Sequence, residues 1–348
     1  MVTLFGVVFI YRLGGTMYQG LLFLLGFYGT QRLMVMAELP FLPRILPKIG
    51  FRWLITGSLV FELLKVLCFA LTKSTSVWFL LPASIFGSLY LAGYELGFHG
   101  LFLSDNDNRK LGEQISRFDV LQNIGLMMVP FFMGALIDVY GFGVLFAFSA
   151  VILGLSIIPL LIMRKHKHPK HAYSFTQVSD LVVAEPEFTG SVSLWYVTMA
   201  VSEYFWPVYI VFLGKGFAFL GGLRSLVLLG SSISVYMLGR FYDRRPLKRV
   251  FLGASIVEAL MWVVRFSASS AIGLVVSDVT GKVMNPVWWM KIRRYELEIG
   301  ERVEKMVFSV AHELMVSVGL LVGLMVGVWL LVLSGGQWQF LAIPLTGR

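Results

Sequence analysis

The sequence predicts an all-α, polytopic membrane protein built from two similar six-helix bundles. Three observations support this: a strongly apolar composition, a series of apolar stretches long enough to cross a bilayer, and basic residues concentrated in every second connection. Of the 348 residues, 57% are hydrophobic and 14% are charged. A soluble domain carries more charge and fewer apolar residues than this. The composition therefore indicates that much of the surface faces lipid.

A helix that crosses a hydrocarbon core about 30 Å thick needs roughly 20 apolar residues, and it satisfies its own backbone hydrogen bonds in lipid. Spans 2 to 11 are predicted, in order, at 17–42, 51–72, 77–103, 115–137, 142–163, 191–213, 216–240, 249–268, 270–290 and 305–333. Shorter apolar pieces at 1–11 and 338–345 remain at the ends and are predicted to be spans 1 and 12.

Basic residues separate the connections into two classes. The rich connections are 43–52, 104–117, 164–190, 240–249 and 291–305. In the alternate connections the only basic residues are Arg12, Lys73 and Lys215. Loops that stay in the cytoplasm keep their Lys and Arg residues, so the rich connections are predicted to be cytoplasmic, in an inner or plasma membrane. Anionic lipid headgroups then account for the net charge of +9 without a nucleic-acid partner.

The first and second halves of the chain resemble each other. The segment "LGGTMYQGL" at 13–21 matches "LGKGFAFLGGL" at 213–223. Residues 1–163 and 191–348 are therefore predicted to be two copies of a six-span unit, joined by the polar cytoplasmic linker 164–190. Parallel repeats of this kind are typical of transporters. In this alignment the first and last spans are half-length stubs, as in a chain truncated at both ends.

The turn "GRFYDRRPLKR" at 239–249 resembles the G-x-x-x-D-R loop of the major facilitator superfamily. With two six-span halves and a basic central loop, the resemblance covers essentially the whole chain. It implies a conformational latch at Gly239, Asp243 and Arg244, with Arg117 as the partner of Asp243. The first copy departs from the pattern, since prolines replace the Gly and the Asp. The alternative is a turn that serves membrane topology alone.

Ionisable side chains inside spans are costly and mark candidate functional positions. The resemblance implies that spans 3, 6, 9 and 12 are peripheral, which demotes Glu62, Lys65, Glu258 and Arg265. The residues predicted to line a substrate and proton pathway are Arg32, Glu95, His99, Glu203, Asp278, Lys282 and His312. For each of them, a structural ion pair is the alternative.

Spacing along the helices adds detail to these candidates. Glu95 with His99, and Asp278 with Lys282, are i, i+4 pairs on one helix face. A carboxylate beside an imidazole can exchange a proton near neutral pH. Both signs of charge occur among the candidates, so the charge of the substrate stays open. Glycines in the spans, such as Gly323, are predicted to allow close helix contact.

The expected function is secondary active transport of a small solute by alternating access, coupled to protons, in a monomer without cofactor, metal or catalytic residues. No P-loop, nucleophile elbow or H-E-x-x-H motif occurs in the sequence. ATP-driven transport and membrane-embedded catalysis are therefore disfavoured. The alternative function is a non-transporting membrane sensor or assembly protein on the same scaffold.

Overall fold

The computed structural model describes residues 2–73, 75–105, 121, 123–162, 174–241, 248–268, 270–300 and 303–336. These ranges are largely helical and contain no strand, which confirms the all-α prediction. The helices are α1 (Val2–Leu13), α2 (Met17–Glu38), α3 (Leu42–Leu71), α4 (Leu80–Asp105), α5 (Val129–Tyr140), α6 (Phe142–Ile162), α7 (Phe175–Ala184), α8 (Pro186–Ala200), α9 (Trp206–Phe212), α10 (Phe217–Phe241), α11 (Lys248–Ser267), α12 (Ala271–Gly300) and α13 (Lys305–Leu333). A 3-10 turn (Val77–Phe79) precedes α4, and a π-helical turn (Val201–Phe205) joins α8 to α9.

Seven helical stretches of the described chain are long and apolar enough to cross a membrane. They are Met17–Glu38, Arg44–Leu71, Val77–Phe98, Asn123–Tyr140, Phe142–Ile162, Phe217–Val235 and Met306–Leu333. Each overlaps a span predicted from the sequence. The other three predicted spans are also helical, as α8 with α9, α11 and α12. The apolar piece at 1–11 lies in α1, and the piece at 338–345 lies outside the described residues.

Local sequence signals explain several helix boundaries. The Thr16 hydroxyl accepts a hydrogen bond from the backbone N–H of Gln19 and caps α2. Ser174 and Gln177 form a complete capping box at the start of α7. Gly50 has φ 74° and divides α3, so that residues 42–49 form a short helix before the span itself. The basic connection predicted at 43–52 therefore contains a short helix.

The helix contacts form two matching sets. In the first half α3 and α2 each pack against α4, and in the second half α11 and α10 each pack against α12. Between the halves, α2 packs on α13 and α5 packs on α10. In the alignment of the two halves, α2 corresponds to α10 and α5 corresponds to α13. When the halves are interchanged, the contact of α2 with α13 therefore becomes the contact of α10 with α5. This pseudo-symmetric pattern is the one expected of a duplicated bundle, while the boundaries at 163 and 191 stay a prediction.

An apolar cluster lies at the end of the bundle where the basic connections are found. It combines residues at the end of α2 and the start of α3 with residues of α8, α12 and α13. Helix α7 adds Val178 and Leu181, which are both buried in this cluster, and it packs directly on α13. The second part of the polar linker therefore forms an amphipathic helix that lies against the spans.

Glycines bring particular helices into close contact, as predicted. A Cβ added at Gly323 of α13 would lie 2.5 Å from the carbonyl oxygen of Val197 and 2.7 Å from the Cβ of Ala200, both in α8. By contrast, a Cβ added at Gly154 of α6 would meet no atom within 4 Å. Small residues that let helices approach are typical of membrane proteins.

This contrast yields a stability prediction. We expect Gly323→Ala to lower the free energy of unfolding by about 1–3 kcal/mol, because the added methyl group overpacks the contact between α8 and α13. Gly154→Ala should leave stability unchanged or raise it slightly, since Ala favours the helix. Thermal unfolding of the detergent-purified protein measures both changes. Equal midpoints for the two variants would contradict the close packing.

Candidate functional site

Four ion pairs lie among the spanning helices of the described chain. Their N–O distances are 3.4 Å for Arg32 with Glu313, 2.6 Å for Lys65 with Glu62, 3.3 Å for Arg224 with Glu203 and 2.7 Å for Arg265 with Asp278. The pair of Glu62 with Lys65 is formed within α3, as the i, i+3 spacing predicts. The other three pairs join different helices.

The pair of Arg32 with Glu313 connects the two halves. Arg32 lies in α2 and Glu313 in α13, so the sequence offers no local sign of their contact. Beside it, the ring of Tyr28 stacks on the ring of Tyr204 with centroids 4.3 Å apart, again between α2 and the second half. Tyr204 also interacts with the guanidinium group of Arg32. A charged and aromatic contact therefore joins the halves within the membrane-spanning part.

Glu203 lies in the π-helical turn between α8 and α9. Pro207 follows four residues later and has no N–H to donate to the carbonyl oxygen of Glu203, so the regular α-helical ladder is interrupted here. Single π-turns inside α-helices occur frequently at functional sites. The sequence signal is thus a proline four residues after an intramembrane carboxylate.

A charge network surrounds Glu203. Its Oε1 accepts a hydrogen bond from Nη1 of Arg224 in α10 at 3.3 Å. Lys282 in α12 interacts electrostatically with Glu203, Arg224, Asp278 and Arg265. The network therefore joins the π-turn, α10, α11 and α12 in the second half.

Asp278 has a different direct partner from the one that its spacing suggested. Its Oδ1 accepts a hydrogen bond from Nη2 of Arg265 in α11 at 2.7 Å, while Lys282 lies one turn further along α12. Arg265 was expected at the periphery, yet its side chain is only 3% exposed. Its guanidinium carbon lies 4.3 Å from the ring centroid of Trp262 and 5.3 Å from that of Trp206. Aromatic faces and a carboxylate together compensate the buried charge.

The side chains of Glu203 and Arg224 are more exposed than those of the other three ion pairs. Those of Glu203 and Arg224 are 21% and 33% exposed, whereas the other six charged side chains are 3–11% exposed. The exposed apolar residues of α10, Leu226, Leu229 and Ile233, lie on the helix side opposite Arg224. The exposed part of Arg224 therefore points away from the lipid-facing side of α10.

The remaining predicted residues lie in two other places. His312 is buried in α13, next to Glu313, with ring centroids 6.1 Å from Tyr196 and 6.4 Å from Phe308. Glu95 is half-buried in α4, where it interacts electrostatically with Tyr90 and Tyr94. The side chain of its predicted partner, His99, lies outside the described residues, so this pair stays a prediction.

The structure therefore brings Glu203, Asp278 and Lys282 together, and it pairs Arg32 with the neighbour of His312. Sequence reasoning did not select Arg224, Arg265, Glu313 or Tyr204 for the site. Of the predicted latch, Arg117, Asp243 and Arg244 lie outside the described residues, and Gly239 lies in the last turn of α10. The latch also stays a prediction.

Several solved transporter structures share this architecture. The human organic anion transporter MFSD10 (TETRAN) matches with a TM-score of 0.68 and 10% identity over 99% of this chain and 87% of that chain. A POT family transporter in complex with 5-aminolevulinic acid matches with a TM-score of 0.67 and 14% identity over 99% and 94%. The E. coli fucose:proton symporter FucP matches with a TM-score of 0.59 and 11% identity over the same shares.

By sequence, the chain matches no protein-family model and no curated protein. Identities of 10–14% over nearly the whole chain show a shared fold. The chain therefore has the fold of major facilitator transporters, as its sequence predicts. Together with the apolar helices, this fold defines an integral membrane protein.

The buried pair of Arg265 with Asp278 leads to a second stability prediction. Arg265→Met alone should destabilise the protein by about 3–5 kcal/mol, because it leaves the Asp278 carboxylate buried and unpaired. The double variant Arg265→Met, Asp278→Leu should recover most of this loss. Asp180→Asn, at an exposed position of α7, is the control. Thermal unfolding tests the series, and additive effects of the two substitutions would contradict a direct pair.

Proposed function

We propose that the chain is a secondary active transporter that moves a small solute across the inner or plasma membrane by alternating access and is driven by protons. The single observation that carries the proposal is the partly exposed pair of Glu203 with Arg224 in the spanning region, with Lys282 beside it. Charges inside spans are expensive, and they persist where they serve a substrate or ion pathway.

Proton coupling rests on the chemistry of Glu203. A carboxylate that is paired with Arg224 and in partial contact with solvent can change its protonation state during a transport cycle. Protonation removes the charge that holds Arg224, so the helices that the pair joins become free to rearrange. The fucose relative is described as a proton symporter. That relationship supports the proposal through the shared fold alone.

Alternating access requires contacts that one conformation makes and the other breaks. One candidate is the seam between α5 and α10, at the end opposite the basic connections. Asp138 at the end of α5 accepts hydrogen bonds from the backbone N–H groups of Phe217, at 2.9 Å, and Ala218, at 2.7 Å. These donors belong to the first turn of α10, which favours a negative charge.

The same seam is tightly packed below this cap. A Cβ added at Gly134 would collide with the carbonyl oxygen of Phe217, and one added at Gly221 would collide with that of Pro130. Backbones in direct contact leave no passage along this seam. Opening of this end therefore requires α5 and α10 to separate and the Asp138 cap to break.

Solute-induced proton flux tests the function. Proteoliposomes that contain the protein and an internal pH-sensitive dye are screened with solutes of different classes, and those that acidify the interior identify coupled substrates. We expect Glu203→Gln to abolish acidification by every solute active with the natural sequence, because the amide cannot carry the proton. Glu62→Gln, in the ion pair within α3, is the matched control and should retain flux.

The outcomes of this screen are distinct. No acidification by any solute would contradict proton-coupled transport and favour a sensor or assembly protein. Acidification that survives in Glu203→Gln would keep transport and remove Glu203 from the proton pathway.

Labelling of the seam tests alternating access. In a Cys68→Ser background, Met133→Cys places a thiol at a residue that is only 2% exposed on α5. We expect Asp138→Ala to increase its reaction with a water-soluble maleimide roughly twofold to thirtyfold, because a lost helix cap costs about 0.5–2 kcal/mol. Val139→Cys, at an exposed neighbouring position, should react equally with and without Asp138. Unchanged labelling of Met133→Cys would contradict a gate at this seam.

A further inference from the structure

The charges around Glu203 constrain the class of solute. The network contains three cations, Arg224, Lys282 and Arg265, and three carboxylates, Glu203, Asp278 and Glu258. The six side chains together therefore carry no net charge when every one is ionised, and the positive N-terminal amino group also acts on Glu203. A balanced set of charges is the least costly arrangement in a medium of low dielectric constant.

The compensation within this network is uneven. Arg265 is held at 2.7 Å by Asp278, is also close to Glu258, and is almost completely buried. Arg224 and Lys282, by contrast, share the charge of Glu203. The contact of Arg224 with Glu203 is the longer one, at 3.3 Å, and its side chains are the more exposed. Among the carboxylates of this network on the described chain, Glu203 is therefore the one that Arg224 and Lys282 share. It also lies at the more exposed end of the network.

A proton on Glu203 changes this balance by one unit. Arg224 and Lys282 then retain two positive charges without their shared counter-ion, and the network carries a net charge of +1. An anionic group from a solute restores neutrality when it takes the place of the Glu203 carboxylate. With Glu203 ionised, the same group would meet a like charge in the same position, which disfavours binding.

Other groups near Glu203 do not substitute for it in this exchange. Tyr28 in α2 and Tyr204 in the π-turn lie close by, but each offers a hydroxyl group and not a carboxylate. Asp278 on α12 is occupied by Arg265. Arg32 and Glu313 compensate each other between the halves. Lys282 and the N-terminal amino group are the other titratable groups that act on Glu203, and a Lys282 variant separates the role of Lys282 from that of Glu203.

We propose that the solute is an organic anion whose anionic group binds between Arg224 and Lys282, and that one proton on Glu203 accompanies each such group. The inference rests on the proposed function and adds the substrate class and the coupling ratio. The proton moves from water to the Glu203 carboxylate as the anion enters, and both leave together on the other side. One proton thus accompanies each negative charge, so the net charge of the network stays constant during transport.

Thermodynamic linkage makes binding of the anion depend on pH. Each ligand raises the affinity for the other by the same factor. Above the pH at which free Glu203 titrates, the apparent affinity for the anion should fall about tenfold for each pH unit. Glu203→Gln removes this dependence while it keeps both cations.

Thermal unfolding of the purified full chain provides the test. The probes are acetate, benzoate and naphthoate, each beside its amide and its amine, at acidic and at alkaline pH. We expect the unfolding midpoint to rise with at least one carboxylate and with none of the amides or amines, and to rise more at acidic pH. A response to an amide or an amine instead, or no response to any probe, would overturn the anionic assignment.

Variants separate the residues. In Glu203→Gln the carboxylate response should be equal at both pH values, whereas in Arg224→Gln and Lys282→Gln it should be lost. Lys65→Gln, a cation of a buried pair outside the network, is the matched control and should respond like the natural sequence. A response that keeps its pH dependence in Glu203→Gln, or that survives in both Arg224→Gln and Lys282→Gln, would overturn the proposed exchange.

Failure of this inference is distinguishable from failure of the proposed function. If amides or amines drive proton flux in proteoliposomes while carboxylates do not, transport stands and the anionic class is wrong. If a carboxylate binds with the expected pH dependence but no solute moves protons, the anion site stands and proton-coupled transport is wrong.

Discussion

The cost of an unpaired charge in a low-dielectric interior governs how these helices assemble. Water does not drive apolar helices together inside a bilayer, so close packing and polar contacts decide which helices meet. Arg32 with Glu313 ties α2 to α13, and Arg265 with Asp278 ties α11 to α12. Where no charge is present, glycines such as Gly323 take over this role by letting backbones touch. The arrangement of the bundle follows from these contacts.

The same constraint creates the candidate site. Irregular backbone is tolerated at membrane depth where protein or water, rather than lipid, surrounds it. The π-turn at Glu203 meets this condition, since it packs against α1 and α13 and carries a charge that is partly exposed. One local arrangement thus contains the Glu203 carboxylate, the proline four residues after it, and the two cations that share its charge. Its cost in stability is the reason that it points to function rather than to packing.

Most of the fold could be predicted from the sequence, because apolar stretches mark the spans and basic residues mark the connections between them. Spacing rules also predicted the pair of Glu62 with Lys65, whose members share one helix. The same rules place Asp278 and Lys282 on one helix face, but they do not reveal that the hydrogen-bond partner of Asp278 is Arg265 on a neighbouring helix. Sequence spacing describes neighbours on one helix face, whereas partners across helices depend on crossing points that a single sequence does not encode locally. Arg224 and Glu313 are recognisable in the sequence as ionisable residues inside spans, but their partners Glu203 and Arg32 are of this second kind.

Different interactions stabilise the two ends of the bundle. At one end, the Asp138 carboxylate caps α10, an electrostatic contact that salt weakens. At the other end, α7 buries Val178 and Leu181, a hydrophobic contact that weakens on cooling. Salt therefore weakens one contact, and cold weakens the other. Ionic strength and temperature thus act on opposite ends of the bundle.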